Sequence, residues 1–339
     1  MLARRTFANS IALLTGSLAM GRFSRFALAQ SPKSIYEQNI LHVGPSRAIK
    51  TISHAAALVT AGTTIYIDSG NYVADVAVWR HDNIRVASVD GRVRLLAQGA
   101  AAEGKGIWVV RAIGMRVEGI DFEGAAVPDR NGSGIRLESG SLQVRDCRFL
   151  YNEMGLLTNN DPDIVLEIAN CEFAHNQRPD GHNHNLYAGQ IARLSVTGSY
   201  FHHARSGHLI KSRAAESHIN GNRITDEAGG TASYELEFPN GGLAYVTSNI
   251  IAQSTTTENP ILISFGAEGY KWPRNEINLN HNTLVNPLPR GGQFLRVAPG
   301  ADAISAINNT LFGLGKLESA GPGEYRDNIK GDAAHNPTL

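Results

Sequence analysis

A six-residue pattern of apolar and polar positions recurs from residue 117 onward. An aliphatic residue comes first, a turn-forming residue takes the third position, and a large apolar residue takes the sixth. The eight copies lie at residues 117–122, 144–149, 168–173, 196–201, 219–224, 246–251, 279–284 and 306–311. Their starts are 23 to 33 residues apart, which is too irregular for helical repeats of fixed length. A solenoid of short strands with variable loops accommodates this spacing, so the pattern predicts a parallel β-helix.

Three columns of the repeat predict ladders of stacked side chains, because equivalent residues of adjacent coils lie ~4.8 Å apart. The sixth column is apolar and consists of Phe122, Phe149, Phe173, Phe201, Ile224, Ile251, Leu284 and Leu311. The third column holds residues that tolerate a left-handed backbone, namely Gly119, Asp146, Asn170, Gly198, Gly221, Ser248, His281 and Asn308. The fourth column ends in an asparagine ladder formed by Asn222, Asn249, Asn282 and Asn309.

The only two cysteines of the chain, Cys147 and Cys171, also occupy the fourth column, on adjacent coils. One coil of separation is compatible with a disulfide, which would persist in an oxidising compartment. A stacked pair of buried thiols fits the same positions. Neither interpretation gives a catalytic cysteine.

Composition agrees with short strands and turns, since the chain has 35 glycines and only 7% aromatic residues. The 31 basic and 31 acidic side chains give a formal net charge of +0, so charge does not predict a nucleic-acid partner. The sequence has no apolar stretch of ~18 residues, and we therefore predict no membrane span. We expect a monomer.

The N-terminus predicts export. Residues 1–29 combine Arg4 and Arg5, an apolar run, and a small-residue cleavage site that ends at Ala29. The arginine pair resembles a twin-arginine signal, and an ordinary Sec signal is the alternative. Both interpretations predict a periplasmic or secreted protein in which residues 30–339 form a single domain.

The segment ahead of the repeat predicts a cap followed by an opening coil. Residues 49–61 form an amphipathic pattern that ends at Gly62, and residues 63–67 are a β-rich run followed by Gly70, Asn71 and Tyr72. With the Asn-rich coils, this order resembles the pectin-lyase-like superfamily of right-handed parallel β-helices. The resemblance implies an all-β, right-handed parallel β-helix with an N-terminal capping helix at about 45–62. It leaves the activity open, because the superfamily includes lyases, hydrolases, esterases, epimerases and adhesins.

Residues 180–237 contain half of the 12 histidines and several paired charges. Each coil has a second strand beyond its variable loop. Successive side chains of a strand point to opposite faces, so the aliphatic positions show which side chains point away from the core. It predicts one outer face that carries Arg136, Glu138, Tyr187, Lys211, Glu235, Glu237, Ser264 and Arg296.

The chemistry of this face fits a lyase that acts on a uronic-acid polysaccharide. Such an enzyme neutralises the sugar carboxylate, removes the C5 proton and protonates the leaving oxygen. We predict Tyr187, Lys211, His184 and Arg213 as catalytic residues. The predicted substrate-binding residues are His182, Asn185, His203, Arg205, His208, Arg136 and Arg296.

A calcium site is implied by resemblance. In β-helix lyases similar to chondroitinase B and related alginate lyases, two alternate glutamates and an asparagine hold calcium beside a lysine and an arginine. Glu235 and Glu237 resemble that pair, and Asn183 would supply the amide. The chain departs from the pattern because the lysine, Lys211, comes from the preceding coil.

Several alternatives remain open. The outward strands lack the clustered aspartates of polygalacturonases, which disfavours hydrolysis. His182 and His184, two residues apart, could hold a transition metal. An acidic polysaccharide is the predicted partner and β-elimination the predicted reaction. The alternatives are a non-catalytic carbohydrate-binding or surface protein and a sugar C5-epimerase.

Overall fold

The computed structural model describes residues 39–178 and 180–332. The predicted signal peptide at residues 1–29 lies outside this part of the chain. Among the described residues, no helix has the length and apolar character needed to span a membrane.

The chain winds as a parallel β-helix, and each coil adds a strand to three parallel sheets. The strands of sheet 1 are Ala77–Trp79, Gly106–Glu118, Ser133–Arg145, Met154–Thr158, His184–Ala188, His208–Ser212, Tyr234–Phe238, Ile261–Phe265, Gly292–Val297 and Gly315–Lys316. Sheet 2 contains Ile40–Val43, Thr64–Val73, Arg85–Leu96, Asp161–Ala169, Ile191–Thr197, Glu216–Asn220, Leu243–Thr247, Glu276–Asn280, Ala303–Ile307 and Glu324–Arg326. Sheet 3 contains Ile120–Glu123, Arg148–Leu150, Glu172–Ala174, Tyr200–His202, Arg223–Thr225, Ile250–Ala252, Thr283–Asn286, Thr310–Gly313 and Ile329–Lys330. The long early strands bend and contribute to two sheets each.

The predicted ladders are confirmed. All eight residues of the sixth column pair in one continuous register along sheet 3. The phenylalanine rings stack nearly parallel, with 4.5 Å between the ring centroids of Phe149 and Phe173. All eight third-column residues have a positive φ, which explains their glycine, asparagine and other turn-forming identities.

The asparagine ladder is longer than predicted. Each Nδ2 donates to the Oδ1 of the next asparagine at 3.0 Å from Asn222 to Asn309. Asn309 then donates to Asn328 at 2.9 Å. Every rung also donates to a backbone carbonyl of the preceding coil, so the buried amides are satisfied.

Cys147 and Cys171 are free thiols stacked on adjacent coils. Both are buried, and the backbone N–H of Cys147 donates to the Sγ of Cys171 at 3.5 Å. Of the two interpretations that the sequence leaves open, the structure shows the pair of buried thiols.

The N-terminal helix is Ile52–Leu58, shorter at both ends than the predicted 49–61. It begins there because the Thr51 side chain accepts from the His54 N–H and caps the first turn. It ends because Val59 adopts an extended conformation. Ile52 and Ala55 are fully buried in the core at the start of the solenoid.

Sheet 1 departs from strict alternation, which corrects one prediction. Leu209, Glu235 and Leu262 occupy equivalent positions on three successive coils, and all three are completely buried. Each comes directly before an inward-facing residue of its strand, which is Ile210, Leu236 or Ile263. Two consecutive residues of each of these three strands are therefore buried. The prediction that Glu235 lies on the outer face is wrong.

Candidate functional site

The outer face of sheet 1 carries a continuous row of polar side chains. Tyr187 pairs with Lys211, Lys211 with Glu237, and Glu237 with Ser264, each on the next coil. His184 and His208 form a second outward row three residues upstream. We call the group of Tyr187, His184, His208, Lys211, Arg213, Glu237 and Glu268 the site cluster.

Two carboxylates hold Lys211. Its Nζ lies 2.9 Å from Glu237 Oε2 and 2.9 Å from Glu268 Oε1. The Lys211 side chain is only 11% exposed, and that of Glu237 only 5%, so solvent screens the inner ion pair weakly. The ammonium is therefore fixed over the sheet by charge on both sides.

Glu237 is the anionic centre of the cluster. Burial alone would raise its pKa, but His208 and Lys211 outweigh burial and lower the pKa of Glu237 to about 2. Its Oε2 lies 3.1 Å from His208 Nδ1. Glu237 thus contacts both the lysine and the histidine of the adjacent coil.

Arg213 links the cluster to Tyr187. Its Nε donates to the Tyr187 hydroxyl at 2.8 Å, and Nη1 donates to Asn240 Oδ1 at 2.6 Å. Its Nη2 lies 2.7 Å from Glu268 Oε2. Because the Tyr187 oxygen accepts from Arg213, its own proton remains free to be donated to another group.

The two histidine rings pack against each other, in surroundings that favour their neutral forms. The centroids of His184 and His208 are 4.6 Å apart, and His184 lies 5.4 Å from the ring of Tyr187. Burial lowers the pKa of His208, and Glu237 only partly offsets this effect. Burial and the neighbouring His208, Lys211 and Arg213 lower the pKa of His184 well below its usual value.

The hydrogen-bond contacts of the two rings indicate which ring nitrogens accept and which donate. The backbone N–H of His208 donates to His184 Nδ1 at 3.2 Å, so this nitrogen is an acceptor. His208 directs Nδ1 at Glu237, which leaves its Nε2 as the nitrogen able to accept a proton. Glu237 thereby orients His208 in the way that a carboxylate orients a catalytic histidine.

Glu268 is a site residue that the sequence did not reveal. It lies in the loop 266–275, which folds back over sheet 1 two coils away from Lys211. Tyr270 anchors this loop through a 2.6 Å hydrogen bond to the Ala298 carbonyl, and Trp272 donates to the Arg213 carbonyl at 3.1 Å. Gly266 has φ +77° and a Cβ there would lie 2.5 Å from the Tyr270 ring, so the loop requires glycine.

Further along the row, more polar residues extend the same face. Arg296 donates to the Tyr234 hydroxyl at 2.8 Å and to Ser264 Oγ at 3.2 Å. Arg136 donates to Asn159 at 3.1 Å on the other side of Tyr187. The row from Arg136 to Arg296 spans six coil steps, or ~29 Å at the usual strand spacing.

The predicted calcium ligands do not converge. Glu235 is buried inside the β-helix beside Asp226 and Gln253, and burial together with Asp226 raises the pKa of Glu235 well above its usual range. Asn183 is also fully buried, and its amide donates to the Asn176 carbonyl. Only Glu237 reaches the outer face, and there it already contacts Lys211 and His208. The residues present therefore do not fit the implied calcium site.

Other predicted site residues lie elsewhere. Asn185 is fully buried and donates to the carbonyls of Phe173 and His202, so it is a structural residue rather than a substrate ligand. His182 is exposed in the loop before sheet 1. His203 and Arg205 lie at the turn that follows a strand of sheet 3, and they line a different cavity.

Comparison with known proteins gives one family match. The family model described as "Right handed beta helix region" matches residues 133–311. Pectate lyase Pel9A superposes with a TM-score of 0.48 at 12% sequence identity, and the alignment covers 86% of this chain and 76% of the Pel9A chain. Pectin methylesterase PemA from Erwinia chrysanthemi gives a TM-score of 0.38 at 9% identity, covering 88% of this chain and 91% of its own. No curated protein sequence matches the chain.

Proposed function

Because this chain belongs to the right-handed β-helix family, we propose that it is a carbohydrate-active protein that cleaves an acidic polysaccharide by β-elimination at the site cluster. The proposal includes export, through residues 1–29, to the periplasm or the exterior. The carboxylate of a uronic-acid residue would bind between Lys211 and Arg213.

One observation carries this proposal. Lys211 and Arg213 together hold the two oxygens of one carboxylate, that of Glu268, at 2.9 and 2.7 Å. Glu268 belongs to a loop and is 44% exposed, so it can give way to a competing anion. A sugar carboxylate has the same charge and the same pair of oxygens, and a guanidinium beside an ammonium suits it.

The surrounding groups complete the requirements of β-elimination. Neutralisation of the carboxylate by Lys211 and Arg213 makes the C5 proton acidic and stabilises the charge that develops as it leaves. His208 Nε2 takes that proton, with Glu237 fixing the ring. The C5–H electron pair forms the C4–C5 double bond as the C4–O bond breaks. Tyr187 then donates its proton to the leaving oxygen, and Arg213 offsets the charge on the phenolic oxygen.

This arrangement changes the assignment of roles within the cluster. Lys211 is the cation of two ion pairs and therefore acts on the substrate carboxylate rather than as the base. His208, which the sequence suggested as a binding residue, takes the role of base. His184 packs against both His208 and Tyr187 and positions them.

The length of the row suits a polymer, and its positions are polar except for Leu157, which lies between Arg136 and Tyr187. Arg136 and Arg296 lie at opposite ends of the row, where they would contact the carboxylates of flanking sugars. A chain-like substrate that lies along the axis of the solenoid would meet all four cations in turn.

The test is the ultraviolet absorbance of the unsaturated product, measured with purified protein and a panel of uronic-acid polysaccharides. We expect a rise with the wild-type protein and its loss in His208→Gln and Tyr187→Phe. His218→Ala, on sheet 2, is the matched control and should retain the rise. Binding without any rise would contradict elimination and support the binding function. Exchange of the C5 proton for deuterium without cleavage would indicate an epimerase.

A further inference from the structure

A second group of histidines lies outside the site cluster, at the turn that follows sheet 3. His202 ends the strand Tyr200–His202, and His203 follows it. His175 occupies the position equivalent to His203 on the preceding coil, and Tyr151 does so one coil earlier. Tyr151, His175 and His203 have φ values of 57°, 55° and 47°, so the left-handed turn directs their rings to the same side.

One ligand nitrogen from each of His175, His202 and His203 lies within 4.8 Å of the other two. The Nδ1 atoms of His202 and His203 face each other at only 2.6 Å. Zn–N bonds of ~2.0–2.1 Å set tetrahedral ligand nitrogens ~3.3 Å apart. The 2.6 Å separation is shorter than that value and the other two separations lie within 4.8 Å, so the rings would rotate to bind one ion.

The carboxylate of Glu172 orients the ring of His202. Glu172 Oε1 lies 3.3 Å from His202 Nε2. A carboxylate accepts from a protonated ring nitrogen, which leaves Nδ1 of His202 as the lone-pair nitrogen that faces the other two rings. Metal-binding histidines commonly have such an outer carboxylate, which sets the tautomer and raises ligand basicity.

The cluster borders an open cavity. His175 and His203 line a cavity of about 330 Å³ together with Tyr151, Gln177 and Arg205. Three protein ligands and one position open to solvent are the arrangement of catalytic rather than structural zinc sites. Arg205, which is exposed, would attract an anionic oxygen to that position.

We propose that His175, His202 and His203 bind a divalent transition-metal ion of the zinc class, with Glu172 as the outer partner of His202 and an open coordination position toward the cavity. Imidazole nitrogens favour Zn²⁺, Cu²⁺ and Ni²⁺ over Ca²⁺ and Mg²⁺, which prefer oxygen. The alternative is a stack of rings without metal, since Tyr151 and His175 lie 5.1 Å apart and nearly parallel. Without metal, the 2.6 Å contact between the two Nδ1 atoms is a hydrogen bond, whose proton the ion would replace. A stack alone does not require the Glu172 carboxylate beside His202.

The test is Zn²⁺ binding to the full chain after treatment with EDTA, measured by titration calorimetry, with Co²⁺ absorption as a spectroscopic probe of coordination. We expect one Zn²⁺ per chain. His175→Asn and His203→Asn should each weaken Zn²⁺ binding by at least ~10-fold, and Glu172→Gln by about 10-fold. Asparagine is chosen because it tolerates the left-handed conformation of both positions.

Two controls keep the result decisive. His218→Ala, distant in the fold on sheet 2, should bind Zn²⁺ as the wild-type chain does, and circular dichroism should show that every variant keeps its β-structure. His182→Asn tests the loop histidine that precedes His184 and should also retain affinity. Failure of the wild-type chain to bind, or unchanged affinity in both His175→Asn and His203→Asn, would overturn the proposal. Loss of affinity in His182→Asn alone would do so as well.

Discussion

Glu268 Oε1 lies 2.9 Å from Lys211 Nζ, although the two residues are 57 positions apart in the chain. The contact puts a carboxylate of the protein at the position that we propose for the carboxylate of the substrate. Glu268 is therefore both a structural partner of the cations and a competitor of the ligand.

Removal of this competitor should strengthen substrate binding. In Glu268→Gln we expect the KM for a uronic-acid oligosaccharide to fall by up to about tenfold, or ~1.4 kcal/mol. The stability of the protein should change by no more than ~1 kcal/mol, because the Glu268 side chain is 44% exposed and Lys211 keeps its ion pair with Glu237. Glu258→Gln, on an exposed loop, is the control for loss of surface charge. A raised KM in Glu268→Gln would mean that Glu268 assists binding instead.

The depressed pKa of Glu237 predicts a pH dependence of stability. A carboxylate with a lowered folded-state pKa stabilises the protein above its unfolded value of ~4.3, and this stability is lost as pH falls toward the folded value of about 2. We expect the wild-type chain to lose up to ~3 kcal/mol more than Glu237→Gln between these limits.

Urea unfolding at a series of pH values between 7 and 2 measures this difference. Glu324→Gln, at an exposed position of sheet 2, should follow the wild-type curve. Parallel curves for the wild type and Glu237→Gln would refute the assignment of Glu237 as the anionic centre.

Glu235 affects the pH dependence of stability in the direction opposite to that of Glu237. Burial and nearby Asp226 raise the pKa of Glu235 well above the usual range, so the folded state binds this proton more tightly than the unfolded state does. Its contribution to stability therefore falls as pH rises above the unfolded value of ~4.3.

Glu235→Gln should consequently stabilise the protein at pH 7, by ~1 kcal/mol or more, and should have little effect at pH 4. Glu235→Leu should behave similarly, because Leu209 and Leu262 already fill the equivalent positions of the adjacent coils. Thermal unfolding at both pH values distinguishes this outcome from a functional role. A loss of stability at pH 7 in both variants would show that the ionised carboxylate is needed.

The asparagine ladder should be a major source of stability. Asn249 donates to Asn282 and to the Ile219 carbonyl, and its Oδ1 accepts from the backbone and side chain of Asn222. Asn249→Ala leaves several buried groups unpaired, and we expect a loss of ~2–4 kcal/mol in the free energy of unfolding. Asn328→Ala, at the partly exposed end of the ladder, should cost about half as much by denaturant titration. Equal losses of unfolding free energy in the two variants would show that an interior asparagine stabilises the protein no more than the terminal one does.

The repeat made most of the fold predictable from sequence. Equivalent positions recur with the period of the coil, so the Phe122 to Leu311 ladder, the left-handed turns and the second strand of each coil could be aligned without a structure. Alternation along one strand predicted the outward row of Tyr187, Lys211 and Glu237 for the same reason.

The rule that side chains alternate along a strand failed at Glu235, because there two consecutive side chains, those of Glu235 and Leu236, are both buried. The signal was present in Leu209 and Leu262, apolar residues at equivalent positions of the adjacent coils. Glu268 could not be predicted, since it reaches the site from a loop two coils away. His175 was missed because its partners are 27 and 28 residues downstream.

The proposed reaction depends on the binding of a sugar carboxylate by Lys211 and Arg213. Titration calorimetry of a uronic-acid oligosaccharide and of its carboxyl-reduced neutral counterpart decides this point, using the wild type, Lys211→Met and Arg213→Met. We predict that the wild type strongly prefers the acidic ligand and that each variant loses most of this preference while it retains its fold. Equal binding of both ligands by the wild type, or an undiminished preference in both variants, would contradict the proposed role of the two cations.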